Sequence, residues 1–228
     1  MLRAIGGITG RHSGLLLDVG CGHGMFLTDA EQAGYEVYGV EPDANVVQVA
    51  NRVGGAKVAH GYFPDAIDRA MRFDVITFND VLEHMPQPDS AVAAAAQLLK
   101  PGGVLVLNCP SRSGLFYQMA SALDRLGWGS PFQRMWQCGL PSPHLWYFTP
   151  HDLIALGSAA SLRVVGSLRL RTLSTEGLKD RVGYVNNQPE ILTALSIAAA
   201  WALIPLSRVA PADVVAVLLR KPELPPSA

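Results

Sequence analysis

Apolar residues along this chain fall into short dense runs separated by polar, glycine-rich connections. Residues 15–19 (LLLDV), 37–40 (VYGV), 73–78 (FDVITF) and 104–109 (VLVLNC) are apolar over most of their length, as expected of strands covered on both faces. A weaker run at 57–61 (KVAHG) falls between the second and third of these. Residues 25–33, 45–53 and 89–99 read as helices, and the alanine run at 93–96 suits close packing against a sheet. Residues 162–170 and 213–221 read as two further strands. Strands alternating with helices imply a doubly wound α/β sheet with right-handed crossovers. Ligands of such sheets bind beyond the carboxyl ends of the strands.

The polar exceptions to this pattern gather at those ends. Asp18 interrupts the first run, where a buried carboxylate is costly unless polar groups meet it. Gly20, Gly22 and Gly24 follow at alternate positions and open a helix whose first N–H groups point back at the loop. Glu41 ends the second strand, where a carboxylate can accept hydrogen bonds from ribose hydroxyls, and Asp43 is the better placed cap for the next helix. Two cofactor classes fit a strand, a glycine loop and a helix. The dinucleotide fingerprint G-x-G-x-x-G/A places Gly20, Gly22 and Met25 in register, and Met25 is bulky where a small residue is needed. An NAD- or nucleotide-sugar-binding oxidoreductase therefore stays open as the alternative, together with a non-catalytic module of the same fold.

The spacing G-x-G-x-G, with an acid two residues earlier, resembles the first motif of class I S-adenosylmethionine-dependent methyltransferases. Residues 73–88 (FDVITFNDVLEHMPQP) and 98–111 (LLKPGGVLVLNCPS) resemble that family's fourth and fifth motifs. The Leu-Glu-His triplet at 82–84 is similar to the branch that includes ubiquinone-type and glycan or natural-product O-methyltransferases, and residues 143–153 (PHLWYFTPHDL) also fit that branch. The resemblance implies a mostly parallel seven-stranded sheet with an antiparallel final strand and a helical cap. It places Asp18, Gly20, Cys21, Gly22 and Gly24 along the methionine part of S-adenosyl-L-methionine, Glu41 at the ribose, and Pro42 and Phe63 at the adenine. Asn79 and Asp80 would flank the sulfonium, with Asp80 also able to cap a helix starting at Val81.

A neutral hydroxyl acceptor benefits from a general base. His84 and His144 are the catalytic candidates; either could instead be structural, His84 by bonding a backbone carbonyl. Glu83 is expected to be solvated or to pair locally. Catechol-type enzymes of this fold bind magnesium through acids after the fourth and fifth strands. Here the fifth strand ends Asn108-Cys109-Pro110, so a metal-free transferase is expected.

Composition narrows the partners. Eighteen basic residues against nineteen acidic ones leave no basic footprint for nucleic acid. Three cysteines without metal-like spacing suit a reducing compartment. The first fourteen residues show no secretory leader and leave little room for helices over the cofactor, so a cytoplasmic protein is expected. One domain over 1–228 is expected: a cofactor core at 14–111, a cap or acceptor-side insertion at 112–150, and a C-terminal helix and edge hairpin at 151–221. Aromatic and methionine residues at 114–140 are candidates to line the acceptor pocket or to pack the cap. An apolar insertion at 173–212 interrupts the hairpin, and its stretch 191–206 reads as a buried cap helix, with a dimer face or peripheral contact at the inner membrane face as the alternatives. The acceptor class is a small molecule, a glycan or a lipid-linked intermediate.

Overall fold

The computed structural model describes residues 1–10, 12–53, 56–170 and 211–223. Its centre is a seven-stranded sheet in the order β3-β2-β1-β4-β5-β7-β6. The strands are β1 (Gly14–Val19), β2 (Tyr35–Glu41), β3 (Lys57–His60), β4 (Phe73–Asn79), β5 (Leu99–Pro110), β6 (Arg163–Leu170) and β7 (Val214–Arg220). Strands β1 to β5 run parallel, and β7 lies antiparallel between β5 and β6. The expected doubly wound sheet with an antiparallel final strand is what the chain forms.

Side-chain alternation along the strands divides the core in two. Leu16, Val75, Val104, Val106 and Leu218 face helices α1 (Leu2–Thr9), α2 (Met25–Gln32) and α3 (Ala44–Val53), which contribute Ile5, Leu27 and Ala50. Leu17, Val19, Ile76, Phe78, Leu105 and Leu107 face the other way, toward α4 (Pro88–Leu98) and α7 (Pro150–Ala159). Both faces are thus covered, which is why the central runs are apolar without alternation. Helix α4 runs into β5, and Lys221, just past β7, donates to the carbonyls of Ala96 and Leu99 at that junction (2.7 and 2.8 Å).

Two features differ from the sequence reading. The opening residues form α1, with Ile5 fully buried against the sheet and Ile8 against Gly166 of β6. Gly6 and Gly7 lower its helix propensity, and tertiary burial outweighs them. Strand β5 is also longer than its apolar run, because Leu99 already pairs with Phe73 before the Pro-Gly-Gly segment. Helices α5 (Leu115–Arg125) and α6 (Ser130–Met135) form the cap. There Tyr117, Phe132, Trp136 and Tyr147 pack on one another, with centroids 4.7–6.4 Å apart. The apolar stretch 191–206 lies outside the described residues, as does most of the insertion that contains it. Among the described residues no helix is long and apolar enough to cross a membrane.

Candidate functional site

The carboxyl ends of β1, β2, β3 and β4 open onto a cleft of about 890 Å³, within the usual range for small-ligand sites. Gly20, Glu41, Pro42, Phe63, Asp80 and His84 line it from the sheet side, and Pro141, Ser142, Pro143 and Leu145 close it from the loop before α7. Asp18, Cys21, Gly22, Gly24, Asn79 and His144 are not among the lining residues, and neither is any residue of 114–140.

The glycine loop is shaped by backbone geometry. Gly20, Gly22 and Gly24 all have positive φ (67°, 53° and 79°), and a Cβ on Gly20 would lie 2.5 Å from the Val81 side chain. A larger residue there is excluded on both counts. Glu41 ties this loop to the end of β2: Oε2 accepts from the Gly22 N–H (3.0 Å) and Oε1 from the Asp43 N–H (3.1 Å). Each oxygen keeps lone pairs for a further donor. Asp43 in turn caps α3 by accepting from the Asn45 and Val46 N–H groups. Phe63 stands edge-on to Phe78 at 5.5 Å, which fixes its ring at the cleft wall. Asp65 points away, paired with Arg69.

Asp18 is 2 % exposed, and its neighbours answer the question its burial raises. Thr77 and Asn79, on the adjacent strand β4, donate to Oδ1 at 2.6 and 2.9 Å. Burial still dominates, so the Asp18 pKa rises to about 7 against the pull of those two hydrogen bonds. Cys21 is buried beside it, and its thiol is pushed up to about 12 by burial and by the charges of Asp18 and Glu41. Such a thiol is a poor nucleophile at neutral pH. Thr77 was not singled out in the sequence, although a lone hydroxyl in an apolar strand opposite an acid is a legible signal.

After β4 the chain turns sharply. Asp80 sits at φ 52° with its N–H donating to the Asn108 carbonyl, and a single 3-10 turn, Leu82–His84, follows. That turn has no side-chain cap, so the expected helix capped by Asp80 does not form. The left-handed backbone at Asp80 and the prolines at 86 and 88 leave room for one turn before α4 starts.

This turn is stapled to the loop before α7. The Glu83 carbonyl accepts from the Leu145 and Trp146 N–H groups, the Trp146 indole donates to the Met85 carbonyl, and His84 Nδ1 donates to the Pro143 carbonyl at 2.9 Å. His84 and His144 are thereby brought to 4.7 Å between ring centroids. His144 Nδ1 lies 3.1 Å from the Tyr147 hydroxyl, and Nε2 lies 3.0 Å from the Gln137 side-chain nitrogen. Burial, reinforced by His84, lowers the His144 pKa to about 4. Glu83, expected to be solvated or to pair locally, is instead 1 % exposed. The turn points it inward, where it receives the Cys109 thiol while its Oε2 has no hydrogen-bond partner, and burial lifts its pKa to about 8.

A parallel sheet with one reversed strand and a glycine cradle facing an acid at the next strand end defines a class I methyltransferase. The methyltransferase domain family model matches residues 5–166, and the chain belongs to that family, whose members use S-adenosyl-L-methionine. Ubiquinone biosynthesis O-methyltransferase of Salmonella enteritidis is 35% identical over 128 residues, 51% of this chain and 52% of that protein. The chain thus spans about half the length of the curated relatives it matches. Among solved structures, cyclopropane synthase MmaA2 from Mycobacterium tuberculosis superimposes with a TM-score of 0.66 at 18% identity, covering 96% of this chain and 83% of that one. A SAM-dependent methyltransferase from Archaeoglobus fulgidus gives 0.58 at 16% identity, covering 96% and 90%. These two likenesses concern the fold.

Proposed function

We propose that the protein transfers a methyl group from S-adenosyl-L-methionine to an oxygen of a small molecule, a glycan or a lipid-linked intermediate. The observation that carries this reading is that one cleft is lined both by Gly20 and Glu41, from the ends of β1 and β2, and by Asp80 and His84, from the turn after β4. The similarity to an O-methyltransferase of ubiquinone biosynthesis supports oxygen as the acceptor atom. In this reading the single domain 1–228 divides its labour: the core at 14–111 holds the cofactor, and the loop at 141–145, within the 112–150 segment, forms the acceptor wall.

The residues fit the cofactor. The three glycines, all at positive φ, present bare backbone to the methionine part, while the Gly20, Cys21, Gly22 and Gly24 N–H groups are spent on Val40, Glu41 and Cys21 and hold the loop in shape. Asp18 acts by holding Asn79 and Thr77 in place at the end of β4. Glu41 takes the ribose hydroxyls on its remaining lone pairs, and Pro42 and Phe63 sandwich the adenine. Asn79 and Asp80 flank the sulfonium. The cofactor, when bound, supplies a methyl group on a positively charged sulfur that is its own leaving group. The protein's task is therefore placement and activation of the acceptor oxygen. His84 activates that oxygen, and His144, held on both nitrogens, positions His84 from behind.

Glu41→Ala should weaken S-adenosylhomocysteine binding at least tenfold in calorimetry, since about 1.4 kcal/mol corresponds to that factor. An unchanged dissociation constant would remove the ribose role. His84→Gln should lower turnover about 10²-fold or more while leaving cofactor affinity within a few-fold, measured by transfer from labelled cofactor to glycan, lipid and quinol-type acceptors. Full activity of that variant would remove His84 from the chemistry.

A further inference from the structure

We infer that Glu83, His84 and His144 form a binding site for a divalent transition-metal ion at the acceptor end of the cleft. The inference rests on the methyltransferase reading only for what the ion does, not for whether it binds. One potential ligand atom from each of the three residues lies within 4.8 Å of the other two. That spacing lets small side-chain rotations bring all three to metal–ligand distance, about 2.0–2.2 Å for nitrogen and oxygen donors.

The hydrogen bonds around the cluster select which atoms face the ion. His84 Nδ1 meets the Pro143 carbonyl, which can only accept, so Nδ1 carries the proton. Its Nε2 then holds a lone pair and has no hydrogen-bond partner among the described residues. At His144 the same result follows by a longer chain. The Tyr147 hydroxyl donates its one proton to the Met135 carbonyl at 2.9 Å, so it must accept from His144 Nδ1. His144 Nε2 is left as the acceptor, met by the Gln137 amide. Both rings thus have an Nδ1–H anchored to an outer oxygen and an Nε2 lone pair, the arrangement found around ligating histidines. Glu83 Oε2 completes the set: a buried carboxylate oxygen with no partner, where native proteins satisfy almost all such groups. A cation supplies what that oxygen lacks. Two imidazoles and a carboxylate suit zinc, iron, manganese or cobalt and leave coordination positions open.

Because His84 lines the cleft, an open position faces the acceptor. With the ion in place, an acceptor hydroxyl bound there loses its proton to solvent more readily, as metal-bound water does, and His84, its Nε2 lone pair committed to the metal, acts through the ion instead of taking the proton itself. The resulting oxygen anion forms a bond to the methyl carbon while the carbon–sulfur bond breaks and its electron pair returns to sulfur. Gln137 must release His144 for the ion to bind, so it competes with the metal.

The test uses the full chain stripped with a chelator and titrated with Co²⁺, read by its visible absorption, with Zn²⁺ as competitor. One cobalt per chain is expected, displaced by zinc. Glu83→Gln, His84→Ala and His144→Ala should each weaken binding at least tenfold, and Gln137→Ala should tighten it. A cooperative thermal melt of each variant reports whether the fold survives; should Glu83→Gln fail that control, the two histidine variants carry the test. No saturable cobalt site, or folded variants that bind as the wild type does, would overturn the inference. Cobalt binding without any S-adenosylhomocysteine binding would uphold the metal site and contradict the methyltransferase reading instead.

Discussion

Asp18 shows how a single buried acid is placed and what it costs. Its pKa stands near 7 in the folded protein against an ordinary 3.8, so the folded chain holds that proton more tightly than the unfolded one. Its contribution to stability is most favourable below pH 3.8 and is lost as pH rises to about 7, by at most ~1.4 kcal/mol per pH unit. Asp18→Asn removes the charge but keeps an oxygen for Thr77 and Asn79. The melting temperature of the variant should therefore gain on the wild type between pH 4 and 7 and stay level beyond 8; parallel curves would contradict the assignment. The need for polar partners at Asp18 was legible in the sequence, and so was Asp43 as a cap. Glu83 was not. An acid in a short polar turn reads as solvated, and its burial follows from contacts distant in sequence, Cys109 of β5 at the side chain and the loop at Leu145 and Trp146 docked on the Glu83 carbonyl. The meeting of His84 with His144 was hidden for the same reason.

Elements with strong local signals formed where the chain pattern placed them, and those held by tertiary contacts did not announce themselves. Helix α7 is of the first kind. Thr149 and Asp152 form a reciprocal capping box, with Pro150 in the first turn. Thr149→Ala should cost about 1 kcal/mol, a few degrees in melting temperature, and leave S-adenosylhomocysteine affinity unchanged; a loss of affinity would mean that this helix start shapes the cofactor site. Helix α1 is of the second kind, since two glycines obscure its apolar positions. The aromatic residues at 114–140 were open to two readings; Tyr117, Phe132 and Trp136 pack on one another and on Tyr147, and Trp128 stays exposed. The cleft wall comes instead from the proline-bracketed segment just after them.

The sheet order brings these parts together. Placing β1 centrally, with β2 and β4 on either side, sets the glycine loop, Glu41 and Asp80 around a common opening. The loop before α7, held where Phe148 pairs with Ser111 just past the end of β5, closes it. The doubly wound sheet was readable from the alternation of runs because the central strands β1, β4 and β5 are apolar on both faces. The acceptor was not, because its wall is built from a loop with no periodic signal. The most direct measurement is calorimetric titration of the full chain with S-adenosylhomocysteine. One molecule should bind per chain, and Glu41→Ala should weaken it at least tenfold; a folded protein that gives no heat with this ligand or with S-adenosyl-L-methionine would contradict the account.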